Sequence, residues 1–340
     1  MAAGKPRHGQ SLTQTRRASS ETVPAFVRPD VFVQALSGLV GQDALKTKLS
    51  SVFSQYTLYL NDLEAGRPLV LVYGRSGSGK TYAIERLVET AGLPYSIASS
   101  ASISPPSYRG KTMLDVFVQH WLDWRVDYGV IFLDEVDKWC KSAIGTDSES
   151  VSMGVRSQAE MLKYVEKDQI SFVDEAKDIT ELEGVKFNTK RMLFVLAGAF
   201  SGIEKLIRRR GNAFFQDDEI FEHAIPKDFK DYGMIGELAD RIETYAWTNP
   251  LKVMDIIRIL SEQERPKWVR RFTEIGCELD LQDGALGRCA QHAHEQKEAA
   301  RVAKAMLRRA MDDIYVLAAQ HNLPRISVDA MAVQSGRVEL

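Results

Sequence analysis

The chain has 340 residues, of which 44% are hydrophobic and 26% charged, enough to bury one or two substantial cores and ordinary for a globular protein. A formal charge of -2 excludes an overall attraction to nucleic acid or to an anionic membrane, so any such binding needs a local patch. Cys140, Cys277 and Cys289 lack CxxC spacing, which excludes a disulfide framework or zinc knuckle and leaves them as packing residues in a reducing compartment. No apolar run approaches the roughly 18 residues of a membrane span, and no charged-then-apolar leader opens the chain, so a cytoplasmic protein is expected.

Residues 1–29 are rich in Ser, Thr, Gln and Arg and poor in large apolar side chains, and are expected to form a mobile tail. Lys5, Arg7, Arg16 and Arg17 precede the first acid, Glu21, as in a transit peptide or a weak nucleic-acid arm, but no amphipathic period accompanies them. From Asp30 short apolar runs alternate with helical patterns, which predicts an α/β fold with a parallel sheet flanked by helices. Pro68 to Tyr73, Gly129 to Leu133 and Met192 to Leu196 read as buried strands. After Pro250 the pattern turns helical, at Leu251 to Leu260, Ala285 to His294 and Glu295 to about Gln320. The expected organisation is therefore a tail over 1–29, a large α/β domain over 30–247 and a smaller, mainly helical C-terminal domain over 248–340.

Directly after the first strand comes Gly74-Arg75-Ser76-Gly77-Ser78-Gly79-Lys80-Thr81, a full GxxxxGK[ST] match. Ile84, Leu87 and Val88 continue it with helical spacing, so the loop ends at a helix N-terminus, where free N–H groups and the helix dipole favour phosphate. Gly74, Ser76, Gly77, Ser78, Gly79, Lys80 and Thr81 are the candidate ATP-binding residues, with Lys80 reaching the β and γ phosphates and Thr81 a ligand of Mg²⁺. A chance match is on the order of 1% for a chain of this length, so an ordinary loop is a poor account of it.

The second strand ends in Asp134-Glu135, the Walker B pattern, and parallel strands present their ends on one edge. Asp134 is expected beside Thr81 at the Mg²⁺, and Glu135 at the attacking water as the catalytic base; two solvated acids after a strand are the plainer alternative. Asp137 and Lys138 follow as supporting or surface groups.

From Gly38 onward the order of motifs resembles the ClpX-type AAA+ protein unfoldases, carried by Gly38-Leu39-Val40-Gly41-Gln42, by MLFVLAGAFSG over 192–202, by FKDYGMIGELADR over 229–241, and by CELDLQDGALGRCA and AARVAKAMLRRAMDDIYVL near the C-terminus. The resemblance implies an AAA+ P-loop fold, with Val40 packing on adenine and Arg241 as an arginine finger acting on a neighbouring subunit; the plainer reading of Arg241 is a surface residue paired with Glu237. The family's sensor 2 arginine falls on Lys304, with Arg301 one turn away, while the sensor 1 strand runs out in Ala197-Gly198 without a polar side chain. Tyr108, Arg109 and Gly110 stand in place of the family's pore loop, with Arg109 where an apolar residue is usual and a buried, loop-capping Tyr108 as the alternative. A second pore segment, around 147–155, is too unspecific to assign.

Two departures qualify the likeness. No cysteine pair precedes Asp30, so the family's N-terminal zinc-binding domain is expected to be absent, and 211–226 lacks the aliphatic-Gly-Phe tripeptide, so docking to a ClpP-type peptidase is not supported; Phe214 and Phe215 are a divergent anchor or packing residues.

The leading expectation is a homohexameric ATPase acting on protein substrates, with no membrane partner. A nucleotide switch or loader on nucleic acid is the alternative, resting on the stripe Lys297, Arg301, Lys304 and Arg308 along one helix face. A non-hydrolysing ATP-binding adaptor conflicts with Glu135.

Overall fold

The computed structural model describes residues 23–61, 68–105, 110–144, 148–172, 185–211, 219–296 and 300–335. Helices α1 (Pro29–Ala35) and α2 (Asp43–Asn61) precede strand β1 (Leu69–Tyr73), which leads through the glycine-rich loop into α3 (Lys80–Ala91). Then come β2 (Tyr95–Ser99), α4 (Met113–Trp124), β3 (Gly129–Asp134), α5 (Asp137–Ala143), α6 (Ser148–Glu166) and the short antiparallel pair β4 (Ile170–Ser171) and β5 (Lys186–Phe187). Strand β6 (Met192–Gly198), α7 (Ile203–Arg210), α8 (Pro226–Asp231), α9 (Gly236–Arg241) and β7 (Thr244–Trp247) complete the α/β part.

The five long strands form one parallel sheet in the order β2-β3-β6-β1-β7. β1 and β6 are buried at every residue, because helices cover both faces of the sheet, and this is why they stand out as continuous apolar runs. Alternate residues feed two cores: Val70, Val72, Val130, Phe132 and Val195 pack with α2 and α3, while Leu71, Tyr73, Ile131, Leu133, Phe194 and Leu196 pack with α4, α6 and α8. The strands β2 and β7 are short and only part-buried, which hides them from an apolar-run reading.

Beyond β7 the chain forms α10 (Val253–Ile259), a π turn at Leu260–Glu264, α11 (Arg265–Glu274), β8 (Glu278–Leu281), α12 (Asp283–Glu295), α13 (Ala300–His321), β9 (Arg325–Val328) and α14 (Ala330–Ser335). A third core draws on Leu251 to Val333 and takes in Val40 from the N-terminal side. The parallel pair β8 and β9 lies within this helical part. Of the N-terminal stretch, residues 1–22 lie outside the described residues. Val23 and Val27 pack against the core beside α2, where Val27 N–H donates to Thr57 Oγ1 at 3.1 Å.

Candidate active site

β1 and β3 flank β6, so the loops leaving their C-terminal ends meet at one edge of the sheet. Gly74 turns the chain out of β1 at φ +129°, and a Cβ there would lie 2.2 Å from Thr248 Oγ1, so only glycine lets the loop pass the segment following β7. Gly79 sits at φ +98° against Leu39 Cδ1 and caps α3. Ser78 Oγ bridges Thr248 Oγ1 and the Arg75 carbonyl oxygen, both at 2.6 Å.

Lys80 is buried at the start of α3 and donates from Nζ to the carbonyl oxygens of Gly74 at 2.7 Å and Arg75 at 3.0 Å. Burial lowers its pKa from 10.5 to about 8, against the raising effect of the Asp134 and Asp137 carboxylates. Thr81 Oγ1 donates to Asp134 Oδ2 at 3.3 Å, bringing together the hydroxyl and carboxylate expected beside Mg²⁺.

Glu135 adopts a left-handed backbone, φ 62°, uncommon for a side chain of this kind and a strained turn at the end of β3. Ser99 Oγ donates to Glu135 Oε2 at 2.6 Å, Ser100 Oγ donates to its carbonyl oxygen at 2.7 Å, and its N–H donates to Asp134 Oδ1 at 2.8 Å. Ser99 closes strand β2 and Ser100 follows it, and nothing in their spacing singles them out. Asp137, expected as a supporting group, is buried and lines the cleft, whereas Lys138 is exposed.

The cleft has a volume of about 1170 Å³ and runs from the glycine-rich loop to α11 and α13. Val40 and Leu39 line one wall with Leu251 and Ile259, an apolar setting for a base. Gln42 locks that wall to the segment after β7: its Nε2 donates to Asn249 O at 2.9 Å, and Asn249 N–H donates to its Oε1 at 2.8 Å.

The two sensor 2 candidates face different partners. Lys304 Nζ donates to Gln263 Oε1 at 2.8 Å and pairs with Glu264 at 3.2 Å, both on the π turn. Arg301 is exposed, lines the cleft and lies near enough to Lys80 to lower its pKa.

Arg241 stands at the end of α9 and is not among the residues lining its own chain's cleft. Its partner is Glu166 of α6, at 2.8 Å, rather than Glu237. Of the pore-loop candidates, Tyr108 and Arg109 lie outside the described residues, as do Phe214, Phe215 and Lys297. Gly110 is described, at φ +147° beside Ser104 Oγ, and the Ser104 N–H donates to Lys111 O at 2.7 Å, so this loop is pinned at its base. No helix among the described residues is long and apolar enough to cross a membrane.

Residues 70–216 match the family described as "ATPase family associated with various cellular activities (AAA)". The "ATP-dependent Clp protease ATP-binding subunit ClpX" of Azotobacter vinelandii is 25% identical over 359 residues, covering 94% of this chain and 81% of that protein. The protein of the same name from Bacteroides thetaiotaomicron is 25% identical over 306 residues, covering 81% of this chain and 73% of its own length. That of Bacteroides fragilis is 24% identical over 344 residues, covering 92% and 80%. The sheet order and the matched segment agree: residues 70–216 are similar to the AAA family, and the chain resembles the ClpX-named subunits over most of its length.

Proposed function

We propose that this chain is a ClpX-like protein unfoldase or remodeller, hydrolysing ATP to move polypeptide through the pore of a homohexameric ring. The observation that carries the reading is a separation. Lys80, Thr81, Asp134 and Glu135 share one cleft, while Arg241 is exposed outside it, in a chain with ClpX-like sequence over 94% of its length. An arginine finger outside its own site serves a neighbour's, and head-to-tail repetition of that contact closes a ring.

In this reading Val40 and the apolar wall hold the adenine, the loop N–H groups and Lys80 hold the phosphates, and Arg301, rather than Lys304, meets them from α13. The hydroxyl of Thr81 and the carboxylate of Asp134 are hard oxygen donors and fit Mg²⁺, which takes one or two protein ligands and keeps water and phosphate for the rest. When bound, the ion would neutralise charge on the phosphate oxygens. Glu135, free to leave Ser99, accepts the proton of the water that attacks the γ phosphorus. The cleft is lined from both the expected 30–247 and 248–340 units, so hydrolysis can change their relative setting.

The nucleic-acid reading loses part of its support. Lys304 of the basic stripe is held by Gln263 and Glu264, and Arg301, Lys304 and Arg308 all line the cleft that the glycine-rich loop opens on.

Steady-state ATPase activity of the wild type and Glu135→Gln, with an unstructured polypeptide and separately with DNA, tests the proposal. Turnover stimulated by polypeptide and lost in Glu135→Gln is the expected result. Stimulation by DNA alone would replace the unfoldase with a loader, and no turnover in any condition would leave a binding-only protein.

A further inference from the structure

The tip of the central strand β6 carries no polar side chain of its own, since it runs out in Ala197-Gly198-Ala199. A polar group reaches that spot from another element. Asp137 Oδ1 accepts the Ala199 N–H at 3.3 Å, and a Cβ on Gly198 would lie 2.8 Å from the same oxygen. Asp137 therefore occupies the space that a side chain at 198 would need. The Val136 N–H donates to Ala197 O at 2.8 Å, extending the β3 and β6 pairing past the end of β3 and fixing where the next residue points.

The position matters because β6 lies between β1 and β3, so its tip faces the ground between Lys80 and Glu135. Asp137 is 3% exposed, lines the cleft and acts electrostatically on Lys80. Its Oδ2 makes no hydrogen bond among the described residues. Oδ2 is not among the sealed, unpartnered polar atoms of the described residues, so it opens to the cleft, where a bound water can donate to it.

The geometry points to Asp137 as a second acceptor for the attacking water, doing from α5 what a polar side chain on β6 would otherwise do. The inference rests on the hydrolase reading above. Asp137 accepts one water O–H and holds the oxygen in line while Glu135 takes the other proton. The water oxygen bonds to the γ phosphorus, and the bond from phosphorus to the β–γ bridging oxygen breaks, leaving its electron pair on ADP. The proton on Glu135 passes to the products, and Asp137 ends as it began. A merely structural Asp137 would anchor Ala199 and nothing more.

Asp137→Asn separates the two, because its amide oxygen still serves the Ala199 N–H while its NH₂ cannot accept from water. The quantities measured on wild type and variant are melting temperature, kcat, and affinity for a non-hydrolysable ATP analogue, for ADP alone and for ADP with aluminium fluoride, which mimics the transferring phosphoryl group. The expected result is unchanged melting and ATP-analogue binding, with kcat and the transition-state mimic's affinity both falling by roughly 10²-fold, as for loss of one group aimed at the transition state. Retained affinity for the mimic, or a loss shared equally with the ATP analogue, would overturn the role of Asp137. If Asp137→Asn melts well below wild type, the affinities are compared at a temperature at which the variant is fully folded, and read by the same criteria. Wild type binding the mimic no tighter than ADP would instead sink the hydrolase reading itself.

Discussion

Arg241 and Glu166 form an ion pair at 2.8 Å between the end of α9 and the end of α6, with both side chains about half exposed. An exposed pair of this kind contributes about 0–1 kcal/mol, so it sets where the guanidinium rests more than how stable the chain is. Arg241→Ala is expected to leave ATP binding intact and to lower kcat by at least ~10³-fold in the assembled protein. Glu166→Gln is expected to keep the melting temperature and to keep or raise turnover. A Glu166→Gln variant as inactive as Arg241→Ala would show that the pair, and not the free arginine, is the working state.

The turn that leads into α9 is held from the same helix. Gln158, 1% exposed on α6, donates from Nε2 to Gly233 O at 3.0 Å and accepts the Ile235 N–H at 2.9 Å. Gln158→Leu leaves both backbone groups buried without partners, at about 1–3 kcal/mol each. Urea unfolding should show this loss, and, if Arg241 acts as proposed, the variant's kcat should fall more than its KM rises, since Arg241 and not the cleft is displaced.

The depressed Lys80 pKa gives ATP binding a pH dependence. Phosphate contact needs the cation, which the free protein holds below about pH 8 and loses above it. Apparent ATP affinity, measured by titration, should be flat from pH 6.5 to 7.5 and weaken toward ~10-fold per pH unit above 8. Lys80→Arg, which stays charged, should flatten that limb whatever its absolute affinity.

His120 is buried between Ser96 Oγ at its Nδ1 and Tyr128 O at its Nε2, and burial lowers its pKa from 6.5 to about 4. The unfolded chain binds this proton below pH 6.5 and the folded chain only below about 4, so unfolding is favoured as pH falls through that window. Stability is full above pH 6.5, and about 3 kcal/mol is lost by pH 4 from this residue. Denaturant midpoints across pH 4–7 should show the slope, and His120→Gln should reduce it.

The three cysteines are each buried, and burial raises their thiol pKa values, that of Cys289 to about 12. Alkylation at pH 8 should be slow in the native protein and complete for all three after unfolding. Fast native labelling of any one would contradict its place in the core.

The sequence by itself determined the fold class and the place of the glycine-rich loop between a strand and a helix. β1, β3 and β6 are covered on both faces, so their residues had to be apolar in unbroken runs, and the glycine-rich loop must sit between a strand and a helix to work. These features are local, and local features survive in a one-dimensional reading. It did not reveal β2, whose Tyr95 to Ser99 is only partly buried, nor therefore the Ser99 and Ser100 hydroxyls that hold Glu135. The different surroundings of Arg301 and Lys304 were also beyond it: both lie on one helix, and the π turn at Leu260–Glu264 puts Gln263 and Glu264 against Lys304. Asp137 is three residues from Asp134 in the chain, yet its place beside Ala199, 62 residues further on, depends on β3 and β6 pairing. Chemistry carried by a contiguous motif could be read directly, whereas chemistry assembled from side chains distant in sequence was decided only when the sheet brought its strand ends together.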